Sequence, residues 1–319
     1  MLQVIVDIFV YKVLKLSVSS KAAAIINFFI YDSIKIILLL FAMITVIGFL
    51  RTFLPQQKIR QWLSRGGIFS NLFACLFGAA TPFCSCSSIP IFFSFVQAGI
   101  PLGIAFSFLI TSPIINEYLV VLMLGFFGWK ITLAYITSGI FIGLFSGVLL
   151  GNMNLENYIE KDMLVQGCGA FEKKEGGSLK HRVFFGINEA KGVIKKLWIW
   201  VLAGVAIGSL IHNYVPESSV QGIVARTGFF SVPIATLIGI PLYGSCAAIL
   251  PVAIVLFQKG FPLGTALAFM MAVSALSLPE AIMLRRAMKL KLIAIFFGIT
   301  AVSIILTGYL FNLLQKILI

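Results

Sequence analysis

Thr81-Pro82-Phe83-Cys84-Ser85-Cys86-Ser87-Ser88-Ile89-Pro90 is a small, polar, thiol-bearing break in a long apolar run. Pro241-Leu242-Tyr243-Gly244-Ser245-Cys246-Ala247-Ala248-Ile249-Leu250-Pro251 is a second break of related composition. Their meaning depends on the medium around them. In hydrocarbon an unpaired backbone N–H or C=O costs several kcal/mol, so a Pro- and Ser-rich interruption at membrane depth persists only where it is buried in protein or lines a cavity.

Composition sets that medium. Of 319 residues 60% are hydrophobic and 11% charged, and the mean hydropathy is +1.06, outside the soluble range. A helix needs about 20 mostly apolar residues to cross a hydrocarbon core of about 30 Å. Runs at 34–50, 101–126, 130–151, 197–213, 262–284 and 292–315 serve as spans, and no soluble domain of any size remains beside them. The expected class is an all-α polytopic protein of the lipid bilayer. A net charge of +13 does not point to nucleic acid, because the basic residues sit in short loops beside apolar spans without an aromatic–basic platform. They read as orientation signals. Met1-Leu2-Gln3-Val4 lacks the charged region and cleavage site of a secretory signal, so no removed peptide is expected.

Along the chain, residues 1–30 mix apolar positions with Asp7, Lys12, Lys15 and Lys21 and read as an interfacial amphipathic helix. A first transmembrane repeat is expected over 31–151, a cytoplasmic linker over 152–196, and a second repeat over 197–319. The segments 67–97 and 229–257 are too long for one straight span and too short for two, and each is broken near its middle. Each is either a single kinked span or a re-entrant hairpin whose tip is the cysteine segment. If both are hairpins, the basic loops at 51–65, 152–196 and 285–291 face one compartment; if both are kinked spans, the positive charge divides between the two faces. The positive-inside rule favours hairpins with those loops cytoplasmic, and it then makes the second half inverted relative to the first.

The halves are also related in sequence. Gln97-Ala98-Gly99-Ile100-Pro101-Leu102-Gly103-Ile104-Ala105-Phe106-Ser107-Phe108 matches residues 258–269 at Gln, Gly, Pro, Leu, Gly, Ala and Phe, each stretch following a Pro-flanked cysteine break. Internal duplication accounts for this. Gly139, Gly143, Gly147 and Gly151 form a Gly-x-x-x-Gly series, echoed by Gly204 and Gly208, that reads as a close-packing face.

Candidate solute ligands cluster in the breaks. Cys84 and Cys86, with Cys246 in the second break, offer soft sulfur donors suited to thiophilic partners such as trivalent arsenic or copper(I). Thr81, Ser85, Ser87 and Ser245 add short hydroxyls. Helix ends facing each other at membrane depth supply backbone N–H and C=O groups beside them. Glu117 and Glu280 each follow a Ser/Pro element inside a span; a charge at the bilayer centre costs about 2.5–3.5 kcal/mol or more, so both read as coupling groups for protons or cations. Cys75 reads as a buried small apolar residue, Cys168 as incidental, and His181 and His212 as lacking partners. The absence of a Gly-x-x-x-x-Gly-Lys-Ser/Thr loop argues against an ATPase, and no cofactor or resident metal is called for.

Thr-Pro-Phe-Cys-Ser-Cys-Ser at 81–87, the duplicated Gln-x-Gly-x-Pro-Leu-Gly turns and Ser-Leu-Pro-Glu at 277–280 resemble the predicted permease family that includes the YraQ-like and ArsP organoarsenical efflux proteins. The resemblance runs from about residue 34 to the end of the chain. It implies a multi-pass permease of the cell inner membrane acting on a small-molecule solute, with metalloid or organoarsenical export in some members. The expected function is secondary transport of a small soft, thiol-reactive or sulfur-containing solute through a midplane site at the two breaks. A membrane thiol redox enzyme using Cys84 and Cys86 is the alternative.

Overall fold

The computed structural model describes residues 2–13, 21–51, 67–81, 85–160, 228–242 and 261–318 throughout, and parts of 183–206 and 250–257. Apolar sequence without strand-like alternation gives helix: among the described residues the one element of β pairing is an isolated antiparallel bridge between Ile159 and Met288. The helices are α1 (Leu2–Asp7), α2 (Lys21–Arg51), α3 (Ile68–Ala80), α4 (Ser85–Gln97), α5 (Leu102–Ile114) and α6 (Glu117–Asn152). They continue as α7 (Ser231–Gly239), α8 (Leu263–Ala275), α9 (Leu278–Leu284) and α10 (Leu290–Leu318). A π-helical turn (Ile8–Val13) follows α1, and 3₁₀ turns cover Leu155–Tyr158 and Gly228–Phe230. Described positions in 183–206 and 250–257 are helical too. Leu119–Asn152, Leu263–Leu284 and Leu290–Gln315 are each long and apolar enough to cross a membrane.

The amino-terminal region divides earlier than its charge pattern suggests. Helix α2 already begins at Lys21, so residues 21–30 extend the helix carrying the 34–50 run, and the separate helical segment is 2–13. Ala22, Ala23 and Ala24 favour helix strongly. The buried Asn27 amide donates to the Asp7 carboxylate at 2.7 Å, tying α1 to α2.

Small residues set the packing of the first half. A Cβ at Gly143 would overlap the Thr111 hydroxyl, one at Gly147 would overlap the Ser107 hydroxyl, and one at Gly139 would meet Ile114 and Ile115 at 2.9 and 2.8 Å. Gly103 lies against Gly147 and Gly151. The glycine series therefore is a close-packing face, and the order of its partners makes the second arm of α6 antiparallel to α5. The arms of α6 are separated at Gly128, whose φ of 78° a side-chain-bearing residue rarely adopts. Helix α5, 13 residues long, rises about 20 Å and cannot cross alone. The first arm of α6 follows it, up to the kink at Gly128.

Helix α3 runs parallel to α5, with Asn71 beside Ser107 and Gly78 against the Phe108 carbonyl. Helix α4 runs antiparallel to α5, with Ser88 beside Ser112 and Phe92 against Phe106. Thus α3 and α5 run one way and α4 runs the other. All residues of α5 and of α8 are buried, as expected of helices apolar on every side. They form the centre, and the Phe106 and Phe296 rings, 5.4 Å apart, join the two halves there.

One constant offset in residue number relates local features of the halves. Gly78 meets the Phe108 carbonyl, and Gly239 meets the Phe269 carbonyl. The turn bond Ile100 N–H to Phe95 O (3.0 Å) recurs as Phe261 N–H to Leu256 O (3.2 Å). The helix end Ile115 N–H to Thr111 O (2.9 Å) recurs as Leu276 N–H to Ala272 O (2.9 Å). Gly103 meets Gly147, and Gly264 meets Gly308.

A strap joins the halves at one end. Glu160 N–H donates to Ala287 O at 2.9 Å and Lys289 N–H to Tyr158 O at 2.8 Å, flanking the Ile159–Met288 bridge. Arg285 pairs with Glu160 at 3.5 Å, and the Lys291 ammonium sits 5.1 Å from the Tyr158 ring centre. Leu155, Ile159 and Met288 are buried beneath these contacts. Each such buried side chain contributes about 1.5–3 kcal/mol, whereas an ion pair this exposed contributes about 0–1 kcal/mol. The strap is held by apolar burial, and the charges add orientation. It also brings the start of the 152–196 loop to the basic 285–291 turn.

Candidate functional site

The first break begins where α3 ends. Thr81 is extended (φ −107°, ψ 132°), and its hydroxyl donates to the Phe77 and Gly78 carbonyls at 2.8 and 3.2 Å. Those are two of the carbonyls a helix end leaves without intrahelical partners, so this hydroxyl closes α3. Cys84 lies outside the described residues, and Ser85, Cys86 and Ser87 form the first turn of α4 as backbone only. In the same turn the fully buried Ser88 shares a 2.9 Å hydrogen bond with Ser112 of α5. That bond fixes the thiol-bearing turn at the depth where α5 ends. Pro90 lies inside α4, in its second turn, where it leaves the Cys86 carbonyl without its helical N–H partner.

A further discontinuity adjoins it. Helix α5 stops at Ile114, Ile115 is non-helical (φ −105°, ψ 85°), and α6 starts at Glu117. The Tyr135 hydroxyl, on the fully buried Tyr135, donates to the Ile114 carbonyl at 3.0 Å and satisfies an acceptor exposed by this stop. The second half repeats the pattern, with α8 ending at Ala275 and α9 starting at Leu278. Leu278 N–H donates to Ile240 O at 3.1 Å, joining the head of α9 to the start of the second break. Tyr243 to Ile249, with Ser245 and Cys246, lie outside the described residues. Helix α9 packs on α4, so elements from both halves are in contact.

The two carboxylates differ. Glu280, in the first turn of α9, is fully buried, while Glu117, in the first turn of α6, is exposed. The offset that superposes the other features pairs Glu280 with the equally buried Leu119, and Glu117 with Leu278. Shared Ser/Pro-then-Glu wording therefore hides two inequivalent positions.

A polar seam was less legible in the sequence. Buried Asn71 accepts from the Ser107 hydroxyl at 2.9 Å and donates to Gly67 O at 3.2 Å, and Thr111 donates to Ser107 O at 2.8 Å. Isolated Asn, Ser and Thr in apolar runs carry no spacing signal, and their pairing needs the helix register. Cys75 is buried against this seam, its sulfur 3.9 Å from Ser107 O, which agrees with its reading as a core residue. Above the seam a cavity of about 410 Å³ opens among Asn71, Pro101, Gly103, Gly151, Asn154 and Glu156. In the second half the matching helix start is filled: Asn312 and Gln315 accept from Gly264 N–H and Leu263 N–H at 2.8 and 3.0 Å. Among the described residues no three His, Cys, Asp or Glu side chains group as metal ligands.

The model of a family described as predicted permease, ArsP_1, matches residues 21–313. YcgR of Bacillus subtilis is 25% identical over 293 residues, 88% of this chain and 95% of its own length. A Streptococcus mutans protein provisionally described as a subunit of a two-component membrane permease complex is 23% identical over 272 residues, 84% of this chain and 88% of its own. YraQ of Escherichia coli is 23% identical over 264 residues, 81% of this chain and 72% of its own. No solved structure gives a significant match.

Proposed function

The chain belongs to this predicted permease family, and from that premise we propose that it moves a small, soft or thiol-reactive solute by alternating access at a midplane site between the two breaks. Metalloids and organoarsenicals lead the candidate solutes, since Cys84, Cys86 and Cys246 supply sulfur donors that hard solutes do not need. In this reading 67–97 and 229–257 are re-entrant segments of two inverted halves in the cell inner membrane. Ser85, Ser87, Ser245 and the helix-end amides complete the solute's shell, and Thr81 fixes the rim.

The observation that carries the reading is that the helix starting in the first break is tied to the end of α5 and is also packed against by α9 from the other half. The Ser88–Ser112 bond holds the first turn of α4 beside the end of α5, and α9, whose first turn carries Glu280, packs on that same α4. Ends of this kind at membrane depth need a protein-lined cavity or protein partners, and a solute site uses both. Glu280 is the coupling carboxylate: it is a fully buried carboxyl inside a candidate span, where such groups mark ion or proton paths. Glu117 takes a secondary part.

The test is counterflow of arsenite and methylarsenite in proteoliposomes by the native chain and by Cys84→Ser, Cys86→Ser. The double variant is expected to fold and to lose at least about tenfold of the native rate. Native-rate counterflow by the variant removes the thiols from the mechanism, and none by either protein removes these solutes.

A further inference from the structure

We propose that the strap Leu155–Glu160 is a latch that holds α9, and with it Glu280, in one of the transporter's conformations, and that it releases when the access side changes. The latch rests on the permease reading for its purpose but not for its test.

The evidence is an asymmetry between equivalent turns. In the second half, α9 and α10 are joined by a turn that the strap covers: Glu160 and Tyr158 take up backbone groups of Ala287 and Lys289, and Arg285 reaches both Glu160 and, at 3.2 Å, the Met288 carbonyl. Arg285 N–H also closes α9 by donating to carbonyls of its last turn, so the residue that binds the strap is the residue that ends the helix. Only one helical turn separates it from Glu280. In the first half, the two arms of α6 are joined at Gly128, and the neighbouring Phe126, Trp129 and Lys130 are exposed without a covering strap among the described residues.

The strap is also chemically suited to release. Its backbone contribution is the two hydrogen bonds that make the single bridge, its ion pair is partly exposed, and its hold comes from Leu155, Ile159 and Met288. A short apolar patch crossing between two halves has two discrete states, seated or unseated, which is what a switching element requires. A continuous helix in its place would not.

Hydrogen–deuterium exchange on the full-length protein in nanodiscs, without solute, tests this, because local opening sets amide protection. Arg285→Ala is expected to speed exchange of 155–160 and 278–284 together, by about two- to fivefold, the range an exposed ion pair allows. Glu160→Arg combined with Arg285→Glu should restore part of the protection, that of the ion pair, because a carboxylate at position 285 cannot donate to the Met288 carbonyl. Ile159→Ser is expected to speed the same two segments by about tenfold or more. Residues 119–127, the equivalent arm in the first half, should be unchanged in all three. Faster exchange confined to 155–160 and 285–289, with 278–284 native, overturns the latch. So does an equal rise in 119–127, which would make the strap general scaffolding, and so does native exchange in Ile159→Ser. Failure of arsenical counterflow leaves these outcomes untouched, so the two readings fail separately.

Discussion

The two halves share a scaffold and differ in chemistry. Both carry a Pro-led central helix, α5 after Pro101 and α8 after Pro262, both stop it after the same number of residues, and both pack it by a Gly–Gly contact on the long helix that follows. The seams beside those helices diverge. Where the first half has Asn71 hydrogen-bonded to Ser107, the corresponding second-half positions are Val232 and Ala268. Where the first half has Gly151 and an open cavity, the second has Asn312 capping α8. Where the first has Leu119, the second has Glu280. Packing is common to both halves, so it reads as architecture; what differs between them is where solute, coupling ion and opening are to be sought.

The largest effect should come from the shared part. Gly147→Leu places a side chain onto Ser107 and the Gly103 backbone, with no room to relax because Gly103 itself abuts Gly147 and Gly151. Overpacking of this kind typically costs about 1–3 kcal/mol and here more, since backbone is struck. Loss of monodisperse protein on size exclusion is expected, and a native elution profile would break the comparison at its base.

The next effect separates the carboxylates. Glu280→Gln should keep the fold and lower proton- or cation-gradient-driven transport by at least about tenfold, while Glu117→Gln should stay within about threefold, in line with buried and exposed settings. Equal losses in both variants would return the pair to equivalence.

A smaller effect concerns the capped helix start. Asn312→Ala removes the acceptor of Gly264 N–H, and losing a cap costs about 0.5–2 kcal/mol. A fall in melting temperature of a few degrees is expected, with counterflow retained. No change would mean that the second half tolerates the opening already present in the first.

Much of the fold is legible in the sequence. Hydropathy gives the class, and the runs at 101–126 and 130–151 bracket the turn at Gly128, because a positive-φ glycine between two apolar spans leaves a signal. The glycine series declares its packing through its four-residue spacing, which puts all four on one helix face. Less legible is anything that depends on register between distant segments. Ser88 with Ser112, Asn71 with Ser107, and Ile159 with Met288 are single residues without local spacing, and only the packed helices bring them together. The likeness of Glu117 and Glu280 misleads for a related reason: a local Ser/Pro-then-Glu pattern recurs by composition, whereas equivalence is set by the offset of the whole half.

The central claim, a solute path through two unlike breaks, is tested most directly by counterflow in proteoliposomes. Arsenite or methylarsenite loaded inside should accelerate entry of the labelled species by the native chain, and Cys84→Ser, Cys86→Ser should abolish that acceleration while melting at the native temperature. Acceleration undiminished in that variant would contradict the claim.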